Sequence, residues 1–222
     1  MIGMDRRIAR GRKLGLCEAS AERLARLKTP EDVQDFVIGI PMNFEPDGWT
    51  AYSVEGVLRE NRAHCIEGAL VAACALAMAG RPPLLMDMGA AEGDDDHVIA
   101  LFRRGRYWGA ISKSNGAYLR FRDPIYRNLK ELALSYFSEY VKDGLKMLRT
   151  YSVPLDLRKV DPSLWVTREK SCKEVIDMLT TARHFNLVPR GQEKRLRRID
   201  DIESRAFKMP EYVDPATSRV AT

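Results

Sequence analysis

A chain of 222 residues with 45% hydrophobic and 30% charged side chains has the balance of a globular protein, which excludes a disordered one. Its 36 Lys and Arg against 31 Asp and Glu give a net charge of +5, interleaved in sign and without a long like-charge run. The longest apolar stretch, Ala69–Gly80, has 12 residues. A membrane span needs about 18, and the basic start MIGMDRRIARGRKLGL lacks the apolar run of a secretory leader. Cys17, Cys65, Cys74 and Cys172 are scattered without a CxxC pair, which argues against a zinc finger or a disulfide framework and for the reducing cytoplasm.

Along the chain, Ser20–Leu27 reads as a short helix. Thr29-Pro30-Glu31-Asp32 opens another, with a cap, a first-position proline and first-turn acids, and it should stop near Gly39. Pro41–Thr50 is an ordered loop, and a helix begins after Ser53 and ends before Arg62. Cys65–Ala79 is apolar on almost every side and predicts a helix buried in the middle of a domain, ended by Gly80-Arg81-Pro82-Pro83. Leu84–Met88 fits a strand, and Gly89–Asp96 a polar turn. His97–Phe102 and Tyr107–Ser112 flank a glycine-containing turn and predict a β-hairpin. Asp123-Pro124 repeats the cap-plus-proline signal and predicts a long amphipathic helix to about Val141. Tyr151–Trp165 is irregular or extended, Thr167–His184 helical, and the tail beyond Pro210 poorly ordered. The basic segment RGQEKRLRRIDD (190–201) runs straight into acids and lacks aromatics, so it reads as a solvated face or tail and not as a nucleic-acid surface.

Cys65 is the first candidate for chemistry. At the start of a buried helix, free backbone N–H groups and the positive dipole end favour a thiolate, and the same N–H groups can hold an oxyanion. Cys74 lies half a turn round and belongs to the core. His97, beginning a strand after a turn, can reach a neighbouring helix end as the partner base. His64 is set aside, because an adjacent helical residue points about 100° away from Cys65. His184 is left as a surface residue. Asp94, Asp95 and Asp96 with His97 and Cys65 or His64 were weighed as metal ligands, but their spacing matches no known loop. No Walker A, GxGxxG or HExxH pattern occurs, so no cofactor and no metal is expected.

The stretches NRAHCIEGALVAACALAMAGRPPLLMDM (61–88) and DDHVIALFRRGRYWGAISKSN (95–115) together resemble the transglutaminase-like superfamily of thiol enzymes. The resemblance covers about a quarter of the chain. It implies an α+β fold with a Cys-bearing helix packed on an antiparallel sheet, and a papain-like mechanism with Cys65 as nucleophile and His97 as base. The family orients its histidine with an aspartate or asparagine on the second hairpin strand, and the matching position here is Ser112. Lys113, Asn115 and Asp123 lie downstream as substitutes. A hairpin with an even loop centred on Arg104-Gly105 would pair Phe102 with Tyr107 and set His97 opposite Ser112; an odd loop would turn Ser112 to the other face. Asn61, one turn upstream of Cys65, is a further candidate for the oxyanion.

The expected organisation is one domain over 1–222: an N-terminal helical extension (1–49), a thiol-enzyme-like core (50–141) and a C-terminal extension (142–222). The expected function is a cysteine hydrolase or acyltransferase acting on a peptide or amide-containing substrate, with Cys65, His97, Ser112 and Asn61 as site residues and no membrane or nucleic-acid partner. The alternative is a catalytically inactive scaffold of the same fold that binds a protein partner, as the missing carboxylate favours.

Overall fold

The computed structural model describes residues 2–46 and 48–218. Three helices open the chain: α1 (Met4–Lys13), α2 (Glu18–Ala25) and α3 (Pro30–Ile38). The first lies in the basic N-terminal stretch, where the sequence pattern gave no warning of it. Its Arg7 is buried and donates to the carbonyls of Ala25 and Leu27, and Gly11 lets the helix approach so closely that a Cβ there would meet Met78 Cε at 2.8 Å. Helix α3 starts as its sequence dictates, with Thr29 and Asp32 exchanging cap hydrogen bonds. After α4 (Val54–Glu60), capped by Ser53, the chain enters α5 (Cys65–Met78). This helix is buried on nearly every side, between α1–α4 and the sheet, and ends at Gly80 with φ 80°.

The sheet is built from β1 (Leu84–Met88), β2 (His97–Arg104), β3 (Tyr107–Ile111) and β4 (Arg122–Tyr126). After helix α6 (Leu129–Leu134) come short strands β5 (Val141–Lys142), β6 (Leu145–Lys146), β7 (Thr150–Ser152) and β8 (Leu155–Asp156). Helix α7 (Lys173–Thr180), β9 (His184–Asn186), α8 (Asp201–Phe207) and α9 (Pro215–Ser218) complete the described elements. Strand order is β4-β3-β2-β1-β8 with antiparallel pairing throughout, while β5–β6 and β7–β9 form separate ribbons. The fold is thus α+β with an antiparallel sheet. One sheet face carries Leu85, Val98, Ala100 and Phe102 towards α5. The other carries Met86, Ile99, Leu101 and Ala110 against Leu132, Tyr136 and Leu148. The α5-side core also takes in Leu16 and Leu24 from the first 49 residues and Trp165 and Leu179 from beyond residue 141, and β8 lengthens the sheet from the same late segment.

Four expectations need correction. The helix expected over Thr167–His184 is confined to Lys173–Thr180, and His184 lies in β9. Asp123-Pro124 starts no helix; it lies in β4, on the sheet edge beside an irregularity in the β3–β4 register, where proline's missing N–H costs no ladder bond. The helix that follows is short and is capped by Asn128. The hairpin turn is centred one residue later than expected, on Gly105 (φ 61°) and Arg106, so Arg104 pairs with Tyr107 and Phe102 with Gly109. The tail is also held beyond Pro210: Asn115 exchanges side-chain hydrogen bonds with the backbone of Tyr212 at 2.9 Å, and its carbonyl accepts from Glu211 N. Residues 219–222 of that tail lie outside the described residues. Among the described residues no helix is long and apolar enough to cross a membrane.

Candidate active site

Cys65 is the first residue of α5, so the first-turn N–H groups around it lack intrahelical acceptors. It is partly exposed and lines an open cleft shared with His64, His97, Asp87, Lys113 and Tyr140. Its Sγ lies 3.9 Å from the carbonyl of Asp96, the residue that leads into β2. His97, the first residue of β2, is 7% exposed, and its Nε2 sits 2.7 Å from Ser112 Oγ.

The partners of Ser112 decide which proton that contact uses. Its hydroxyl donates to the carbonyl of Leu119 at 2.5 Å, and a hydroxyl has one proton to give. It therefore accepts from His97, which fixes the Nε2–H tautomer and leaves Nδ1 as the basic nitrogen. Leu119 holds its carbonyl in place from a left-handed conformation (φ 56°), with its N–H on Glu139, which is paired at 2.6 Å with Arg122. The Ser112 backbone is clamped from α3: Gln34 Oε1 takes its N–H at 2.9 Å and Gln34 Nε2 donates to its carbonyl at 2.8 Å.

His64 does not point away from Cys65. The 100° rule applies between helical residues, and His64 is the extended N-cap (φ −102°, ψ −167°). Its Nε2 lies 3.1 Å from the Thr50 carbonyl, 3.5 Å from Glu67 Oε1 and 3.6 Å from Glu45 Oε1. Burial raises the Cys65 thiol, but hydrogen bonding to His64 and His97 and their charges outweigh it and bring the group down to about 5. Burial lowers His64, yet Cys65, Glu67 and the Thr50 carbonyl carry it up to about 9. Glu67 is fully buried and accepts from His64 N, Tyr52 N, Thr50 Oγ1 and Asn43 Nδ2. Glu67 stands three residues after His64, the spacing of a capping-box acid, and this is the sequence signal that locates it.

The other expected site residues lie elsewhere. Asn61 is the exposed left-handed C-cap of α4 (φ 51°) and is not part of the cleft wall. Asp123 is exposed on β4; Asn115 lines the cleft, but its amide is occupied by the Tyr212 backbone. Lys113 borders the cleft but turns its ammonium onto the carbonyls of Ile38 and Ile40 at the end of α3; burial lowers it to about 8. Cys74 is wholly buried, and burial raises its thiol strongly. His184 is not a free surface residue: its Nε2 lies 3.1 Å from Asp87 Oδ2 in the cleft wall, and burial, the charge of Asp96 and that of Cys65 lift Asp87 to about 6 against the pull of His184. Among the described residues, no group of three or more His, Cys, Asp or Glu is arranged to hold a metal ion.

No protein-family model matches the chain, and comparison with curated proteins gives no match. Among solved structures it is similar to Legionella pneumophila LapG (EGTA-treated), at 13% identity and a TM-score of 0.34, over 55% of this chain and 80% of that one. At that distance, the chemistry of the cleft is read from its own residues.

Proposed function

We propose that the chain is a transglutaminase-like thiol hydrolase or acyltransferase acting on amide or peptide carbonyls. The observation that carries this reading is a cleft cysteine at a helix N-terminus, beside an imidazole whose tautomer is set by Ser112. Cys65 Sγ attacks the carbonyl carbon, forming a C–S bond as the carbonyl electrons move to oxygen, where the first-turn N–H groups of α5 receive the charge. Collapse breaks the C–N bond, and the amine leaves with the proton that the Cys65 thiol gave up, returned by the imidazole that holds it. Water, or an amine in a transfer reaction, then attacks the thioester and returns the thiol. Intact-mass analysis after exposure to peptide p-nitroanilides and activated acyl esters tests this: the wild-type chain should gain an acyl adduct on Cys65 and release product, and Cys65→Ala should do neither.

A second reading is an inactive scaffold that binds a protein partner. The specific observation in its favour is the neutral hydroxyl of Ser112 where a carboxylate is expected. A Cys65 that is ionised yet takes no acyl group from any of these probes would favour it.

A further inference from the structure

The imidazole chosen from the sequence lacks a carboxylate, while the imidazole set aside has two close by. His97 Nε2 faces only the Ser112 hydroxyl. A hydroxyl with its proton committed to Leu119 accepts a hydrogen bond but adds no charge to stabilise an imidazolium. His64 Nε2, in contrast, faces a carbonyl at 3.1 Å and carboxylate oxygens at 3.5 and 3.6 Å. A carbonyl accepts only, so Nε2 carries a proton, and the ring also shares a hydrogen bond with Cys65. Glu67 cannot swing away, because its oxygens take hydrogen bonds from Tyr52 N, Thr50, Asn43 and His64 N. The carboxylate absent from the hairpin is thus present on the first turn of α5.

We propose that His64, backed by Glu67, is the cation that keeps Cys65 a thiolate, and that His97 with Ser112 serves as the neutral imidazole that takes the proton of the attacking water or amine. The inference rests on the thiol-enzyme reading and divides its labour between two histidines. Other charges around the sulfur oppose or ignore the pair. Asp87 and Asp96, both in the cleft lining, are carboxylates whose ionised forms repel a thiolate, and the Lys113 ammonium is spent on the carbonyls of Ile38 and Ile40. That leaves His64 as the cation with its own anionic support. The division also suits catalysis. The protons balance: the one Cys65 gives up rests on His64 and goes to the leaving amine, while a neutral His97 with Nε2–H fixed has a free lone pair at Nδ1 to take one from the attacking nucleophile, and that proton restores His64 as the thiolate is released.

The test is the pH dependence of Cys65 alkylation by iodoacetamide, followed by mass spectrometry in the full chain as wild type, His64→Gln and His97→Gln. Gln at 64 can still donate to the Thr50 carbonyl, so the N-cap keeps one contact. His64→Gln should move the alkylation midpoint upward by about 1–3 pH units, the size expected for losing an adjacent opposite charge. His97→Gln should move it less while abolishing acyl-adduct turnover. A larger shift in His97→Gln, or an unmoved midpoint in His64→Gln, overturns the proposal. Imidazole NMR of the wild-type chain gives a reading that needs no His64 variant to fold. At pH 7 His64 should be the charged ring, and Cys65→Ala should lower its titration, by reciprocity; a charged His97 that responds to Cys65→Ala instead overturns it. Failure to form an acyl adduct would defeat the proposed function and leave the order of these shifts intact, so the two failures are separable.

Discussion

Ser112 reaches His97 diagonally across the hairpin, its Oγ 2.7 Å from Nε2, because the ladder sets Ile111 opposite Ala100 and so offsets Ser112 from the residue facing His97. A slip of two residues preserves the alternation of faces, so the two side chains still meet. Ser112→Ala should leave the Leu119 carbonyl and His97 Nε2 without their partner and lower acyl-transfer rate by about 10–100-fold, less than the roughly 100–10,000-fold of a lost acid or base because the hydroxyl orients the imidazole and moves no proton itself. Ser112→Thr should keep most of the rate. Ser112→Asp should not improve on wild type, because an ionised carboxylate has no proton for the Leu119 carbonyl and would face that oxygen directly. Steady-state rates of the three variants check this; a faster Asp variant would mean that the Leu119 contact is dispensable.

Where local patterning and burial agree, as along the wholly apolar Cys65–Met78 helix and at the Thr29-Pro30 cap, the sequence was enough to place the element. It failed where tertiary partners override local signals. Asp123-Pro124 has the letters of a helix start, but the exposed edge of β3 claims that segment as a strand. Arg7 and Gly11 look like parts of a solvated basic stretch until α2 supplies carbonyls for the one and Met78 closes on the other. In the site, Cys65, His97 and Ser112 were legible from order and parity. The position of His64 was not, because a cap residue is extended and the helical angle between neighbours does not apply to it. Nor was Gln34, whose contact with Ser112 joins residues 78 apart in the chain.

Gln34 should be worth more to stability than a surface amide. Its two hydrogen bonds to the Ser112 backbone are buried, and truncation leaves a donor and an acceptor unpaired. Gln34→Ala should cost about 2–4 kcal/mol by the usual penalty for such groups. Gln34→Glu keeps an acceptor for the Ser112 N–H but sets a carboxylate against its carbonyl, so it should be no milder. Urea denaturation of both variants gives the numbers; a loss below about 0.5 kcal/mol for either would show that water replaces the clamp.

Asp87 should make the protein lose stability as pH rises from about 4 to about 6. Its folded value is lifted to about 6 from 3.8, chiefly by burial, so its contribution is complete below the unfolded value and disappears as pH passes the folded one. A gap of about two units corresponds to roughly 2–3 kcal/mol. Cys65 acts in the opposite sense, since its lowered value makes its contribution vanish as pH falls through about 5. The comparison therefore belongs in a Cys65→Ser background, with and without Asp87→Asn. The Asn variant should lack the fall in stability between pH 4 and 6; an equal slope in both chains would place the titration elsewhere.

The order in which Cys65 and a free reference thiol react should itself change with pH. At pH 6 a thiol near 5 is about nine-tenths ionised, against about 0.3% for an ordinary thiol near 8.5, an advantage of roughly 300-fold. Lower basicity makes each thiolate a weaker nucleophile, by about 40-fold over such a gap at a Brønsted slope near 0.45. The remaining factor is about tenfold in favour of Cys65 over added N-acetylcysteine at pH 6, and the two effects cancel near pH 7. At pH 8 the free thiolate fraction has risen to about a quarter, so N-acetylcysteine should react roughly tenfold faster than Cys65. Cys74 and Cys172 should stay unlabelled throughout, because both are buried and burial raises both thiols, Cys172 to about 12. Isotope-coded iodoacetamide labelling at pH 6, 7 and 8 followed by peptide mapping would show the crossing. Parallel rate curves for added N-acetylcysteine and Cys65 would mean that Cys65 is an ordinary thiol, and the charge relationship between His64 and Cys65 would fall with it.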